Sequence, residues 1–238
     1  MIVVKKDKNL SLIDYFDPES PESTEFRRVL YNLNGIPGGG AKKAVLVTSA
    51  MLSEGKSVIS SYLALTSAYF KSRKTLLMDF DLRRPMIHNL FSVPLANGIS
   101  DILAKGVASR NMIKKTSNDN LDLLTAGQTM PNPSELFNGP AIHRIIEEMK
   151  FYYDLILVDS PPLLPVMDPM ILLEELDGAI LVIKAGSTQR DIVARARDLL
   201  EPQKDKIAGV VINNLDQTLP YHYNYDYYGY NYKPIQKK

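Results

Sequence analysis

Short apolar runs alternate along this chain with longer segments in which apolar residues return every three or four positions. The short runs are predicted as buried strands, at 44–48, 75–79, 121–125, 155–159, 179–183 and 207–212. The segments 56–70, 141–149 and 188–200 have the spacing of helices that bury one face. This alternation is typical of βαβ units, so we expect an α/β fold with a doubly wound, mainly parallel sheet. Ligands of such sheets bind beyond the carboxyl ends of the strands.

Two segments do not follow this alternation. Residues 20–33 predict a short helix, and residues 36–40 after it contain Pro37 and three glycines, as in a linker. Residues 221–232 interleave tyrosine with Asn, Asp and Gly and lack aliphatic residues for a core, which predicts a flexible tail. We therefore expect an N-terminal arm over 1–40, one domain over 41–215 and a tyrosine-rich tail over 216–238.

Composition excludes several classes of function. The length of 238 residues suits one sizeable domain, and a net charge of +1 provides no field that would attract nucleic acid. The absence of cysteine excludes a disulfide framework, a thiolate metal site and a cysteine nucleophile, and it agrees with a cytoplasmic location. No stretch approaches the roughly 18 apolar residues that a membrane-spanning helix needs. We expect any membrane association to come through a partner.

A phosphate-binding loop is predicted between the first strand and the first long helix. Residues 49–57 read SAMLSEGKS at that junction. In such a loop, backbone N–H groups and a helix N-terminus surround the β-phosphate, and lysine neutralises the β and γ oxygens. A Gly-Lys-Ser triplet also fits an ordinary helix start, but its strand-loop-helix context favours phosphate binding. The predicted nucleotide-binding residues are Ser53, Glu54, Gly55, Lys56, Ser57 and Val58.

Carboxylates end two of the predicted strands. Asp79 and Asp81 follow the second strand and Asp159 ends the fourth. Residues spaced by two lie on the same side of an extended chain, and parallel strands end at a common edge of the sheet. Asp159 then resembles a Walker B aspartate, which holds Mg²⁺ directly or through water. Strand-end aspartates also cap turns, but three of them beside a phosphate loop are hard to attribute to capping.

These motifs resemble those of the bacterial tyrosine kinases that govern capsule and exopolysaccharide synthesis. The resemblance runs from about Ser20 to the C-terminus and includes the loop at 49–57, DFDLRRP at 79–85 and ILVDSPP at 156–162. The segment 127–137 and the terminal tyrosine cluster are also similar to that family. The resemblance implies a P-loop NTPase architecture and a kinase domain over 41–215.

The resemblance also implies roles for individual residues. Lys56, Asp79 and Asp81 would be catalytic, with Asp79 contacting the acceptor hydroxyl. Ser57, Asp81 and Asp159 would surround Mg²⁺, and ATP would be the phosphoryl donor. The implied acceptors are the tail tyrosines Tyr221, Tyr223, Tyr225, Tyr227, Tyr228, Tyr230 and Tyr232.

Assembly and partners are implied in the same way. The family has an oligomerisation motif with Glu, Arg and Arg at intervals of three, and Glu25 and Arg28 keep the first interval while Tyr31 takes the third place. The resemblance implies a homo-oligomer, for which a ring is one arrangement. It also implies a transmembrane polysaccharide co-polymerase as activator, a protein-tyrosine phosphatase, and recruitment to the inner face of the cell membrane.

Two other functions fit parts of the sequence. A P-loop ATPase switch of the partitioning or septum-positioning type shares this sheet, but such proteins have an extra lysine where Met51 stands, and they lack a tyrosine-rich tail. A catalytically silent, nucleotide-binding regulator of a polysaccharide exporter is the other alternative. It is suggested by Leu52 and Ser53, which occupy positions where the kinase family usually has proline and glycine.

Overall fold

The computed structural model describes residues 11–34, 42–70 and 72–214. Its strands are β1 Ala44–Ser49, β2 Thr75–Asp79, β3 Lys114–Lys115, β4 Leu121–Leu124, β5 Leu155–Asp159, β6 Gly178–Lys184 and β7 Ile207–Asn213. Its α-helices are α1 Leu12–Tyr15, α2 Pro21–Asn34, α3 Lys56–Phe70, α4 Ile87–Leu90, α5 Ile99–Lys105, α6 Gly139–Tyr152, α7 Asp168–Glu174 and α8 Arg190–Leu200. Three 3₁₀ segments lie at Ser109–Met112, Pro133–Leu136 and Glu201–Lys206.

The strands form a seven-stranded sheet in the order β3-β4-β2-β5-β1-β6-β7. Every pairing is parallel except that of β3 with β4. Asp159 of β5 lies in register with Val47 of β1 on one side and with Asp79 of β2 on the other. The carboxyl ends of three neighbouring strands therefore meet at one edge, as the sequence predicts.

Helices cover both faces of the sheet. Along β1, Val45 and Val47 pack with apolar residues of α1 to α4, whereas Ala44 and Leu46 pack with those of α5 to α8. Side chains that alternate between two covered faces explain why the strand is apolar from 44 to 47 rather than at every second position. The prediction of a doubly wound, mainly parallel α/β sheet is confirmed.

Helix α2, predicted within the N-terminal arm, packs on the domain. Its buried residues Phe26, Leu30 and Leu33 recur at the helical spacing and join the apolar cluster of α3. The ring of Phe26 stacks on that of Tyr62, with centroids 5.2 Å apart. This helix is therefore part of the same core as the sheet.

Some predicted boundaries were wrong. Helix α8 begins at Arg190 rather than at 188, because Thr188 belongs to the turn after β6. Helix α6 begins at Gly139, where the side chain of Asn138 accepts the N–H of Ala141. The β3 strand was missed because Lys114–Lys115 has no apolar run. The predicted linker at 36–40 and the tail at 216–238 lie outside the described residues. Within the described ranges, no helix has both the length and the apolar character to cross a membrane.

Candidate active site

The loop predicted to bind phosphate joins β1 to α3 at the edge where the central strands end. Its backbone has positive φ at two positions, +63° at Ser53 and +95° at Gly55. Helix α3 begins at Lys56, and the N–H groups of Lys56 and Ser57 precede its first hydrogen bond, which runs from Val58 to the carbonyl of Gly55. The strand-loop-helix context inferred from the sequence is therefore present, with amide donors and a lysine at the start of the helix.

Lys56 extends from the start of α3 to a strand-end carboxylate. Its Nζ lies 2.8 Å from Oδ2 of Asp81, and the two side chains are 12% and 2% exposed. Burial alone lowers the pKa of Lys56, but attraction to Asp159, Asp81 and Asp79 outweighs it and raises that pKa. The lysine is therefore charged and surrounded by the three predicted carboxylates.

Asp79 is fully buried, and both of its oxygens accept backbone N–H groups. Oδ1 accepts that of Asp81, and Oδ2 accepts those of Met86 and Ile87, each at 3.1 Å. Burial and the nearby charge of Asp159 raise the pKa of Asp79 well above its usual range, although these amides oppose the shift. Strand β2 ends at Asp79, although the N–H of Phe80 still donates to the carbonyl of Asp159 at 2.8 Å. Asp79 and Asp81 lie at the same edge of the sheet.

Asp159 is as buried as Asp79 but has a different environment. Neither of its carboxylate oxygens accepts a hydrogen bond of good geometry among the described residues, although the nearby hydroxyls of Ser57 and Ser60 oppose part of the pKa rise that burial causes. Burial raises the pKa of Asp159 to about 6. A buried carboxylate with so little hydrogen bonding is rare, and its oxygens are suited to coordinating a cation.

The residues predicted around Mg²⁺ fit that ion. Asp159 offers two buried oxygens, and Ser57 is buried at the second position of α3. In the described ranges, no group of three or more His, Cys, Asp or Glu side chains converges on a metal position. Mg²⁺ in nucleotide sites is commonly held by only one or two carboxylates, with water and substrate phosphates completing its octahedron.

Arg83, in the segment after β2, joins two other segments near this edge. Its Nε lies 3.1 Å from Oδ2 of Asp168, which begins α7 and is buried. Its guanidinium also donates to the hydroxyl of Ser134. Arg83 therefore ties the turn after β2 to α7 and to the 127–137 segment.

Comparison with known proteins identifies the family. The ParA family model, described as "NUBPL iron-transfer P-loop NTPase", matches residues 40–231. Tyrosine-protein kinase YwqD of Bacillus subtilis (strain 168) is 33% identical over 227 residues, which are 95% of this chain and 94% of that protein. The putative tyrosine-protein kinase CapB of Staphylococcus aureus is 34% identical over 94% of this chain and 99% of its own length.

This chain belongs to the bacterial tyrosine-protein kinases.

The fold comparison agrees with the family. The kinase domain of the Escherichia coli tyrosine kinase ETK has a TM-score of 0.77 and 28% identity, covering 94% of this chain and 89% of that domain. A cell-division ATPase MinD from Pyrococcus furiosus has a TM-score of 0.60 at 20% identity, covering 72% of this chain and 70% of its own, and so shares the fold alone. The kinase therefore shares its fold with this cell-division ATPase, whereas its sequence similarity is to the tyrosine kinases.

The remaining predicted residues are Val58, the pair Glu25 and Arg28, and the tail tyrosines. The N–H of Val58 donates to the carbonyl of Gly55, at 3.1 Å, so it serves the helix. Glu25 and Arg28 form an ion pair of 2.6 Å on α2, with both side chains about half exposed. The seven tail tyrosines lie outside the described residues.

The sequence did not point to two residues that contact the phosphate loop. Thr188, after β6, donates its hydroxyl to the carboxylate of Glu54, and Asn213, at the end of β7, donates to the carbonyl of Glu54 at 3.0 Å. Asn213 ends a strand at the ligand edge, as Asp79 and Asp159 do. Asn213 could have been predicted by considering amide side chains, as well as carboxylates, at the ends of strands.

Proposed function

We propose that this kinase transfers the γ-phosphoryl group of ATP to tyrosines of its own C-terminal cluster, between subunits, in the regulation of capsule and exopolysaccharide synthesis. The observation that carries the proposal is the position of Lys56. It begins a helix after a phosphate loop and lies buried among three strand-end carboxylates. That combination suits the stabilisation of charge on a transferring phosphoryl group.

In this proposal, ATP binds over residues 53–57, with its phosphates at the amides that begin α3. Lys56 then leaves Asp81 for the phosphate oxygens, so one negative partner replaces another. Ser57, Asp81 and Asp159 would hold Mg²⁺, which when bound neutralises phosphate oxygens and positions them. Asp159 needs no rearrangement for this role, because its oxygens accept no hydrogen bond of good geometry among the described residues.

Transfer moves the γ-phosphorus from ADP to a tyrosine oxygen. The phenol oxygen forms the new P–O bond, the bond to the bridging oxygen breaks, ADP leaves with the electron pair, and the phenol proton passes to a carboxylate or to water. The transition state is loose, so the proton can leave late and a weak base suffices. Asp79 is the proposed contact of the acceptor hydroxyl. Its oxygens already accept backbone N–H groups, so this role requires the turn between Asp79 and Ile87 to shift when substrate binds.

The tail is proposed to act in trans. It follows β7, whose last residue, Asn213, contacts the phosphate loop, so the tail starts close to its own site. A tail that starts so close has to reverse its direction to present its first tyrosines to its own site, so we propose that a neighbouring subunit accepts it. Each phosphotyrosine adds about −1.5 to −2 charges, so a phosphorylated tail is repelled by a site with three carboxylates. We propose that phosphorylation releases docked tails and loosens an oligomer, of which a ring is one form, with Glu25 and Arg28 of α2 at its contacts.

Partners are proposed from the family resemblance. A transmembrane polysaccharide co-polymerase would recruit the kinase to the inner face of the cell membrane and activate it, and a protein-tyrosine phosphatase would reset the tail. Fractionation of bacteria with and without co-polymerases tests the recruitment. Full activity and an unchanged distribution in cells that lack every co-polymerase would contradict it.

A mixing experiment tests the proposed transfer. A Lys56→Met chain with its tail is mixed with an active chain whose seven tail tyrosines are phenylalanine, and labelled ATP is added. We expect phosphotyrosine on the Lys56→Met chain, which mass spectrometry assigns to 221–232, and none on that chain alone. Label confined to free phosphate would support the ATPase switch instead, and bound ATP without any label or hydrolysis would support the silent regulator.

A further inference from the structure

Glu54 lies in the middle of the phosphate loop and is buried, with an exposure of 3%. Glutamate is almost never fully buried unless it is paired. One carboxylate oxygen accepts the N–H of Met51, at 2.7 Å, and the other accepts the hydroxyl of Thr188. The carbonyl of Met51 accepts the hydroxyl of Ser49 at 2.7 Å, so the loop is held on both sides of that residue.

Asn213 holds the same loop through its backbone. Its Nδ2 donates to the carbonyl of Glu54 at 3.0 Å, and its Oδ1 accepts the N–H of Asn214 at 2.8 Å, which fixes the orientation of the amide. A Cβ added to Gly55 would lie 2.3 Å from Nδ2 of Asn213. The amide therefore packs directly on the glycine, whose positive φ also excludes other residues.

Thr188 and Asn213 each form a hydrogen bond with the segment at the end of β6 as well as with the loop. The hydroxyl of Thr188 accepts the N–H of Lys184, at 3.2 Å, which leaves its proton for Glu54. The N–H of Ala185 donates to the carbonyl of Asn213 at 2.9 Å. The turn after β6 and the end of β7 thus form one support, and we name Glu54, Thr188 and Asn213 the loop brace.

The backbone of the phosphate loop is strained at Ser53. Ser53 has a φ of +63°, in the left-handed region where a side chain is strained and glycine is favoured. Strained backbone persists only when its surroundings determine it strongly. The loop brace supplies that determination from outside the loop.

We propose that the loop brace positions the phosphate-binding amides against the strain at Ser53, and that Thr188 and Asn213 are positioning residues for nucleotide binding. The proposal rests on the ATP site proposed above. It predicts that weakening the brace lowers nucleotide affinity while the core stays intact, and that glycine at position 53 compensates, because it removes the strain that the brace opposes.

Thr188→Val tests this proposal, because it removes the hydroxyl at nearly constant volume. Hydrogen exchange without nucleotide should be about tenfold faster at the Met51 amide, and the affinity for a fluorescent ADP with Mg²⁺ should fall about tenfold, equal to about 1.4 kcal/mol. Thr188→Ser should restore both values. Ser53→Gly combined with Thr188→Val should recover most of the affinity.

Thr66→Val is the matched control. Thr66 is buried in α3, and its hydroxyl has no partner among the described residues, so both readouts should be unchanged. Unchanged Met51 exchange in Thr188→Val would overturn the brace, whatever its affinity for nucleotide. So would a loss of affinity that Thr188→Ser does not restore. A kinase that binds no nucleotide would instead reject the ATP site, while the exchange measurement still decides the brace.

Discussion

Asp79 and Asp159 are neighbours in register on β2 and β5, both fully buried, yet their environments differ. Asp79 accepts three backbone N–H groups from the turn that follows it, whereas neither oxygen of Asp159 accepts a hydrogen bond of good geometry among the described residues. The same residue type at the same strand position therefore does two things. Asp79 fixes the chain after its strand, whereas the oxygens of Asp159 suit the Mg²⁺ role proposed above.

The largest expected effect is the loss of tyrosine phosphorylation in Asp159→Asn. The variant removes a charge that the proposed Mg²⁺ site uses, so tyrosine phosphorylation should fall about 100-fold or more, equal to about 2.7 kcal/mol in the barrier, and should depend less on Mg²⁺. Initial rates of labelling across a Mg²⁺ titration measure this. Activity within twofold of the unchanged kinase would show that Asp159 does not hold the Mg²⁺ that transfer needs.

The second effect concerns pH. Burial raises the pKa of Asp159 to about 6, so the folded kinase binds this proton more tightly than the unfolded chain does. The contribution to stability is fully present below about pH 4 and is lost as pH rises through 6. Urea unfolding without nucleotide should therefore give Asp159→Asn equal stability at pH 4 and about 2 to 3 kcal/mol more at pH 7. A difference that does not change with pH would contradict the assignment.

The smallest expected effect is the change in stability caused by Asp79→Asn. Asp79→Asn keeps the shape but turns an N–H group toward backbone donors, so we expect about 1 kcal/mol less stability, the loss of bonding being partly offset by relief from the charge of Asp159. Urea unfolding at pH 7 measures it, with Asp159→Asn as the matched control. If both variants gain stability equally, the backbone bonds of Asp79 do not distinguish the two carboxylates.

The strand-end rule explains how much of this site the sequence could predict. Apolar runs located β1, β2 and β5, and their parallel arrangement was enough to bring Lys56, Asp81 and Asp159 to one edge. The hydrogen bonds of Asp79 were not predictable, because they depend on the path of an irregular turn. The contacts from Thr188 and Asn213 to Glu54 span 134 and 159 residues, and no local pattern specifies them. The short antiparallel β3 has no periodicity to detect.

The position of β1 has a consequence for the order in which the protein is made. This strand is synthesised first, but its two neighbours in the sheet are β5 and β6, so the second neighbour leaves the ribosome only after residue 178. Until then a strand that is buried along its whole length in the folded protein lacks one of its two hydrogen-bonding neighbours. Asn213 reaches the phosphate loop later still. A nascent chain therefore cannot assemble the complete nucleotide site, and catalysis has to wait until nearly the whole domain has been translated.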